Sequence, residues 1–372
     1  MKEKQHRDAC AIKTSIGGQA LMEGIMMRGP KKTAMAVRNP KGEIVVEEME
    51  TKLAKRPAIC RLPVIRGVFN FIDSMTLGYK CLMRSAELAG LEDMVEENPK
   101  KKKKRDEEVS QTVIGGSERS TSQSEEARTA AEADSAETVG EDTEEKMPAW
   151  VLTATMVGAV VVALVLMVGL FFFLPSALYE LISNNVPFFK GDSAVLNSLW
   201  KSVFEGVFKI VLLVGYMAAI SLMKDIRRTF MYHGAEHKTI FCYEAGLELT
   251  VENIRKQRRF NPRCGTSFLI LMLLVSVFVS FFIDPISIAI SGDTLAVGWR
   301  TLVRFLMFPV VMGLGYELIK FAGRHDNWLT RFISLPGVWL QHITVFEPTD
   351  DMIECAIEAM TRVIPKDGSD SW

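Results

Sequence analysis

Little in this chain points to a secreted protein. Its six cysteines, Cys10, Cys60, Cys81, Cys242, Cys264 and Cys355, are scattered and lack the spacing of a disulfide framework. Reduced thiols facing a reducing compartment are therefore expected. The opening stretch, MKEKQHRDACAIKTSIGGQA, has no apolar core of signal-peptide length, so no cleaved leader is expected there. A net charge is nearly missing as well, at −1. That balance says little about partners, because charge and hydrophobicity are strongly segregated along the chain. Residues 98–147 have almost no large apolar side chains and cannot offset their own ordering entropy, so they read as a disordered charged linker. The basic block at 100–105, from Lys100 with Arg105 at its end, holds no aromatic residue to stack on bases. Nucleic acid is thus not expected as a partner. The block reads as a solvated charge run beside a membrane, placed to touch anionic lipid headgroups.

What the chain has in quantity is long apolar sequence. Residues 149–174 run 26 positions without a charge, more than the roughly 20 needed to cross a bilayer. Residues 266–283 give 18 uncharged positions, closed by Asp284-Pro285. Residues 203–223 are apolar apart from Glu205 and Lys209 near their start. Residues 302–319 are the weakest span, with Arg304 and Glu317 near the ends and Pro309 inside; the alternative there is an interfacial or re-entrant helix. Four spans put both termini on one side. The connection 224–265 holds nine Lys and Arg residues, against two in 175–202 and one in 284–301. The excess of positive charge makes the first connection cytoplasmic, and both termini with it, in a multi-pass protein of the cell (plasma) membrane. The bilayer itself is the expected partner. Few charges fall inside these spans and no pair of broken helices repeats, so transport finds little support.

Outside the membrane, residues 11–95 read as a cytoplasmic α+β unit. Two glycine-punctuated boxes, GGQALMEGIMMRGP (17–30) and LPVIRGVFNF (62–71), bracket TAMAVRNPKGEIVVEEME, a β-hairpin turning at Asn39-Pro40-Lys41-Gly42. From 64 to 91 the pattern is helical, with Val68, Phe71, Ile72, Met75, Leu82 and Met83 on a broad apolar face that suits either a core or a bilayer surface. The tail 324–372 is expected to be cytoplasmic. In it Thr349 or Asp350 caps a helix striped by Met352, Ile353, Ala356, Ile357 and Met360. The expected fold is mainly α: about four transmembrane helices across 149–323, with the motif connection 224–265 among them, and a small α+β unit containing a β-hairpin.

Chemistry concentrates in MYHGAEHKTIFCYE (231–244), which holds two of the five histidines. On a helix His233 and His237 lie four apart on one face, continued by Ile240 and Glu244, with Glu236 at its edge. H-x-x-E-H is also an inverted zincin spacing, in which the imidazoles hold a metal and the glutamate is a base toward water. The bland alternative is structural histidines at a helix–membrane boundary. Further on, Asn261-Pro262-Arg263-Cys264-Gly265 offers a thiolate, a soft ligand that zinc accepts. Its alternative is a small buried residue. A meeting of Cys264 with His233 requires either a bend, for which Gly234 offers a place, or a span that ends lower than drawn. Glu23 and Arg28 in the first box either line a site or pair with each other.

GGQALMEGIMMRGP, YHGAEHKTIFCYE and NPRCGTSF, in that order, resemble the YqhQ family of bacterial membrane proteins (domain of unknown function 1385). The likeness extends through LPVIRGVFNF and LPGVWLQHITVFEP, so it covers most of the chain except the linker. The family is described as predicted metal-dependent enzymes, and the resemblance implies His233, His237 and Cys264 as motif positions; with the H-x-x-E-H spacing, a divalent metal, zinc, is the expected cofactor and Glu236 the expected base. The family usually reads His-Pro-Arg-Cys where this chain has Asn261. If that histidine is a ligand elsewhere, Glu244 or water fills the place here; otherwise position 261 is no ligand in the family. Two functions follow: a membrane-embedded metal-dependent hydrolase, or a non-enzymatic scaffold or assembly factor.

Overall fold

The computed structural model describes residues 13–51, 60, 62–90, 149–186, 193–325 and 327–370. The linker at 98–147 and its basic block lie outside the described residues. The chain divides into two compact units, Glu96–Val168 and the remainder. The described part of the former is one helix, α2 (Ala149–Val168), apolar throughout.

The larger unit begins with four antiparallel strands in the order β1 (Gly17–Leu21), β2 (Gly24–Arg28), β3 (Lys32–Arg38) and β4 (Ile44–Glu50). The β3–β4 hairpin is the one expected from Asn39–Gly42: the Asn39 side chain accepts from the backbone amides of Lys41 and Glu43 at 3.0 and 2.9 Å, and Gly42 takes φ 86°. The first glycine box is itself a second hairpin, β1–β2, which the sequence did not announce. Its two-residue turn is Met22-Glu23, and Glu23 adopts a left-handed φ of 50° without glycine or asparagine to mark it. Helices cover both sheet faces. Met26, Met35 and Val37 pack with Cys81 and Leu77 of α1 (Ile65–Leu88). Ile25, Met27, Ala34 and Ala36 pack with Tyr232, Ala235 and Ile240 of α5 (Lys224–Glu244) and with Met352, Ala356 and Met360 of α10 (Asp350–Val363). The tail helix thus completes the core of the N-terminal sheet. Thr349 occupies its cap position but makes no side-chain cap bond.

Among the described residues four helices are long and apolar enough to cross a membrane: Gly158–Asn185, Ala194–Ser221, Gly265–Ser291 and Gly298–Ala322. The first continues α2 through a π-helical stretch, Gly169–Phe173, into α3 (Leu174–Asn185); the others belong to α4 (Ala194–Ser221), α7 (Gly265–Ser291) and α8 (Val297–Arg324). The helices overrun their expected ends. Asp284-Pro285 does not close the third; α7 continues to Gly292, a left-handed cap with φ 78°. Asp284 is buried against Arg300 of α8 at 2.8 Å, so its charge does not face lipid. Glu205 of α4 is buried against Arg304 at 2.6 Å and accepts from the Ser176 hydroxyl at 2.7 Å. The spans therefore hold more charge than their apolar windows suggest.

Two connections place the site. The chain breaks between α4 and α5 at Leu222-Met223, not at Gly234, and the short helix α6 (Val251–Arg255) follows α5. Gly234 stays inside α5, where a Cβ would lie 1.9 Å from the Phe346 carbonyl oxygen; it is there for close approach, not for bending. After α8 comes α9 (Trp328–Thr344), started by a capping box in which Asn327 accepts from the Thr330 amide at 2.9 Å. Its Gly337 lies directly on Ser267 in the first turn of α7.

Candidate metal centre

Helix α5 is buried on nearly every side from Tyr232 to Cys242, because sheet, α10 and the connection before α7 surround it. Such a helix can afford polar side chains only where partners are built for them. His233 Nδ1 lies 3.0 Å from the Thr344 carbonyl oxygen and His237 Nδ1 lies 2.5 Å from that of Arg259. A carbonyl only accepts, so both rings donate from Nδ1. The two Nε2 atoms then point together, the rings meeting edge-on with centroids 4.4 Å apart.

Cys264 reaches this point from the cap of α7, where its sulfur accepts from the Thr266 amide at 3.4 Å. The loop that carries it is held by the fully buried Gln341 of α9. That side chain accepts from the Asn261 amide at 2.8 Å and donates to the Asn261 carbonyl at 2.6 Å and to Ser267 Oγ at 3.0 Å. His233 Nε2 is 3.0 Å from Cys264 Sγ, and one donor atom from each of His233, His237 and Cys264 lies within 4.8 Å of the others. This buried group has the donor set to hold a metal. A nitrogen and a sulfur donor shared by one metal ion of zinc's size would stand about 3.5 Å apart, close to the 3.0 Å contact seen here.

Electrostatics match a ligand set. Burial pushes the Cys264 thiol up, but the His233 and His237 imidazoles outweigh it and bring it well below its ordinary value. Burial opposes charge on His233, yet the adjacent thiolate raises it to about 9. The proton of this pair sits on the imidazole. Burial raises Glu236 above the ordinary carboxylate range, only partly offset by the two imidazoles and by the Gly18 amide that donates to it. Gly18 is required there, since a Cβ would fall 2.8 Å from Glu236 Cγ. One atom each of two of these residues, His237 Nε2 and Glu236 Oε2, is buried without a hydrogen-bond partner. A metal ion beside them would take up the free lone pair of His237 Nε2.

The other motif positions are committed elsewhere. Glu244, considered as a fourth ligand, accepts from Arg263 at 2.6 Å and from the Thr14 amide at 2.9 Å. Asn261 accepts the Arg263 amide at 3.0 Å in a local turn. Glu23 and Arg28 do not pair with each other, because they lie at opposite ends of the β2 hairpin arm. Glu23 forms a two-pronged pair with Arg228 at 2.6 Å, while Arg28 lines a cavity against α1. What sequence reasoning missed are the supports: the Thr344 and Arg259 carbonyls, the Gly18 amide and Gln341. Two of them, Gln341 and Thr344, fall in the LPGVWLQHITVFEP box, which was the one available signal.

The chain belongs to the family described as a protein of unknown function, DUF1385, whose pattern it matches over residues 62–366. It is 28% identical over 361 residues to the uncharacterized protein YqhQ of Bacillus subtilis (strain 168), covering 95% of this chain and 93% of that one. No solved structure matches it.

Proposed function

We propose that this membrane protein binds one zinc ion through His233, His237 and Cys264 and uses it for hydrolysis. The observation that carries the reading is the buried convergence of two Nδ1-anchored imidazoles and a thiolate. A mixed nitrogen and sulfur donor set suits zinc better than magnesium or calcium. Three protein donors leave one position open, the pattern of a catalytic rather than a closed structural site. Zinc in such a site supplies a Lewis acid that makes water nucleophilic near neutral pH. The chain's own residues do the rest. Thr344 and Arg259 fix the tautomers, Gln341 positions the Cys264 loop, and Glu236 holds a proton-accepting oxygen without another partner. Because burial raises Glu236, it is a stronger base than a free carboxylate.

The scaffold reading retains one supporting feature, since the same donors tie α5, α7 and α9 together. Metal analysis of the full chain tests the site: one zinc per chain, lost in His233→Ala and in Cys264→Ser. Folded protein purified without chelators and carrying no zinc would end the proposal. A panel of ester, amide and phosphoester amphiphiles tests the hydrolase, where Glu236→Gln keeps zinc and loses turnover. Placement of the site and both termini in the cytoplasm of the cell membrane rests on the nine basic residues of 224–265. Reporters fused at either end read that sidedness.

A further inference from the structure

Beside the metal centre, on the other side of Gly18, lies a cavity of 430 Å³ between the sheet and α1. That volume falls in the range of small-molecule sites. Its polar lining includes Arg28 from β2, Asn70 and Ser74 from α1, and Tyr316 from α8. Asn70 donates to the Tyr316 hydroxyl at 2.9 Å, which fixes that wall. Arg28 is different in kind from the arginines around it. Arg38 pairs with Glu354, Arg66 with Glu317, Arg84 with Glu47, and Arg228 with Glu23. Among the described residues Arg28 has no acidic partner, only a long contact of 3.4 Å to the Ser74 hydroxyl. An arginine held in a cavity with hydroxyl and amide neighbours and no counter-charge is arranged for an anion, and its planar fork suits phosphate.

The setting selects the source of that phosphate. Helix α1 turns Ile65, Phe69, Ile72, Met75 and Tyr79 outward, positions that share one helical face. A stripe of that kind lies in a membrane interface. Its inner side presses on a spanning helix: Gly67 packs on Tyr316, and Arg66 forms a two-pronged pair with Glu317. Tyr316 is six residues from the end of the span Gly298–Ala322, roughly 9 Å along the axis. The cavity therefore sits at headgroup depth, with Leu77 providing an apolar wall.

We infer that this cavity binds the phosphate headgroup of an anionic membrane phospholipid, with Arg28 as its charged contact. The inference does not depend on the metal. The full chain in detergent, titrated by native mass spectrometry with dioctanoyl phosphatidylglycerol, should bind one lipid more tightly than it binds dioctanoyl phosphatidylcholine. Arg28→Gln should weaken phosphatidylglycerol roughly tenfold or more, as expected for a lost charge-assisted contact, while Arg28→Lys recovers part of it. Ser74→Trp, at an exposed position, fills the cavity and should abolish binding without touching the charge. Unchanged affinity in Arg28→Gln or in Ser74→Trp would overturn the site. Displacement of the lipid by inorganic phosphate at similar concentration would overturn the lipid assignment and leave a free phosphate as ligand.

Discussion

Gly234→Ala tests how the metal centre is supported, because it changes no donor. The added Cβ would lie 1.9 Å from the Phe346 carbonyl oxygen and 3.3 Å from Pro348 Cδ. An ordinary contact is about 3.5 Å, so the 344–348 segment must retreat by about 1 Å or more. That segment is fixed to α5 by the Phe346 amide, which donates to the Phe230 carbonyl at 3.0 Å. It cannot leave without losing that bond, and overpacking of this kind costs about 1–3 kcal/mol. The Thr344 carbonyl, two residues away, moves with it. Its 3.0 Å contact to His233 Nδ1 then stretches toward the limit of a hydrogen bond, and His233 loses its fixed tautomer. Loss of such a support lowers metal affinity by about 10–100-fold. The assays are zinc competition with a chromophoric chelator and thermal unfolding in detergent. Gly215→Ala is the control, since nothing lies within 4 Å of its Cβ; it should leave both readouts near the parent. A Gly234→Ala protein with parental zinc affinity and stability would refute the close-approach argument.

Three other outcomes follow from the same geometry. Arg263→Ala strips the partner from Glu244, which is 1% exposed, and should cost about 3–5 kcal/mol. Arg255→Ala breaks a pair with Asp350 that is more than half exposed, and should barely move the melting temperature; equal shifts in melting temperature would contradict this. Cys264→Ser should remove the thiolate-to-metal charge-transfer band of the cobalt-substituted protein, whereas persistence of the band would mean that the sulfur is not a ligand. Below about pH 9 His233 carries the proton that zinc must displace. Apparent affinity should therefore rise about tenfold per pH unit toward 9 and then level off, and calorimetry in buffers of different ionisation enthalpy should show proton release on binding.

The parts of the fold that were legible are those in which local chemistry decides structure. Asn39 and Gly42 dictate their turn wherever the hairpin packs. The i, i+4 spacing of His233 and His237 fixes a shared face once the segment is helical. The β1–β2 hairpin was hidden because Glu23 takes a left-handed conformation with no local residue preference for it, supported instead by its distant pair with Arg228. β2 and β3 lacked the alternation of a half-buried strand because helices cover both faces. Which motif residues join the imidazole–thiol cluster could not be read from spacing at all. Glu244 is claimed by Thr14, 230 positions away, and by Arg263, while the Asn261 side chain closes a local turn on the Arg263 amide. The Glu244 assignment is tertiary, and that residue would be a credible ligand without it.

The same distinction explains the membrane helices. A hydropathy reading ends a span at the first charge, because an ion exposed to lipid is costly. It cannot know that Asp284 on α7 meets Arg300 on α8, or that Glu205 on α4 meets Arg304. Once paired inside the protein, those charges no longer mark the boundary with water. They join three helices by contacts for which an apolar bilayer offers no substitute partner. These pairs sit about 20 residues along α7 from Cys264, roughly 30 Å away and near the opposite face of a bilayer. The chain thus fixes its spanning helices at both ends by polar chemistry, ion pairs at one and the imidazole–thiolate centre with Gln341 at the other. The apolar residues between them meet lipid as readily as protein and specify neither pairing nor register.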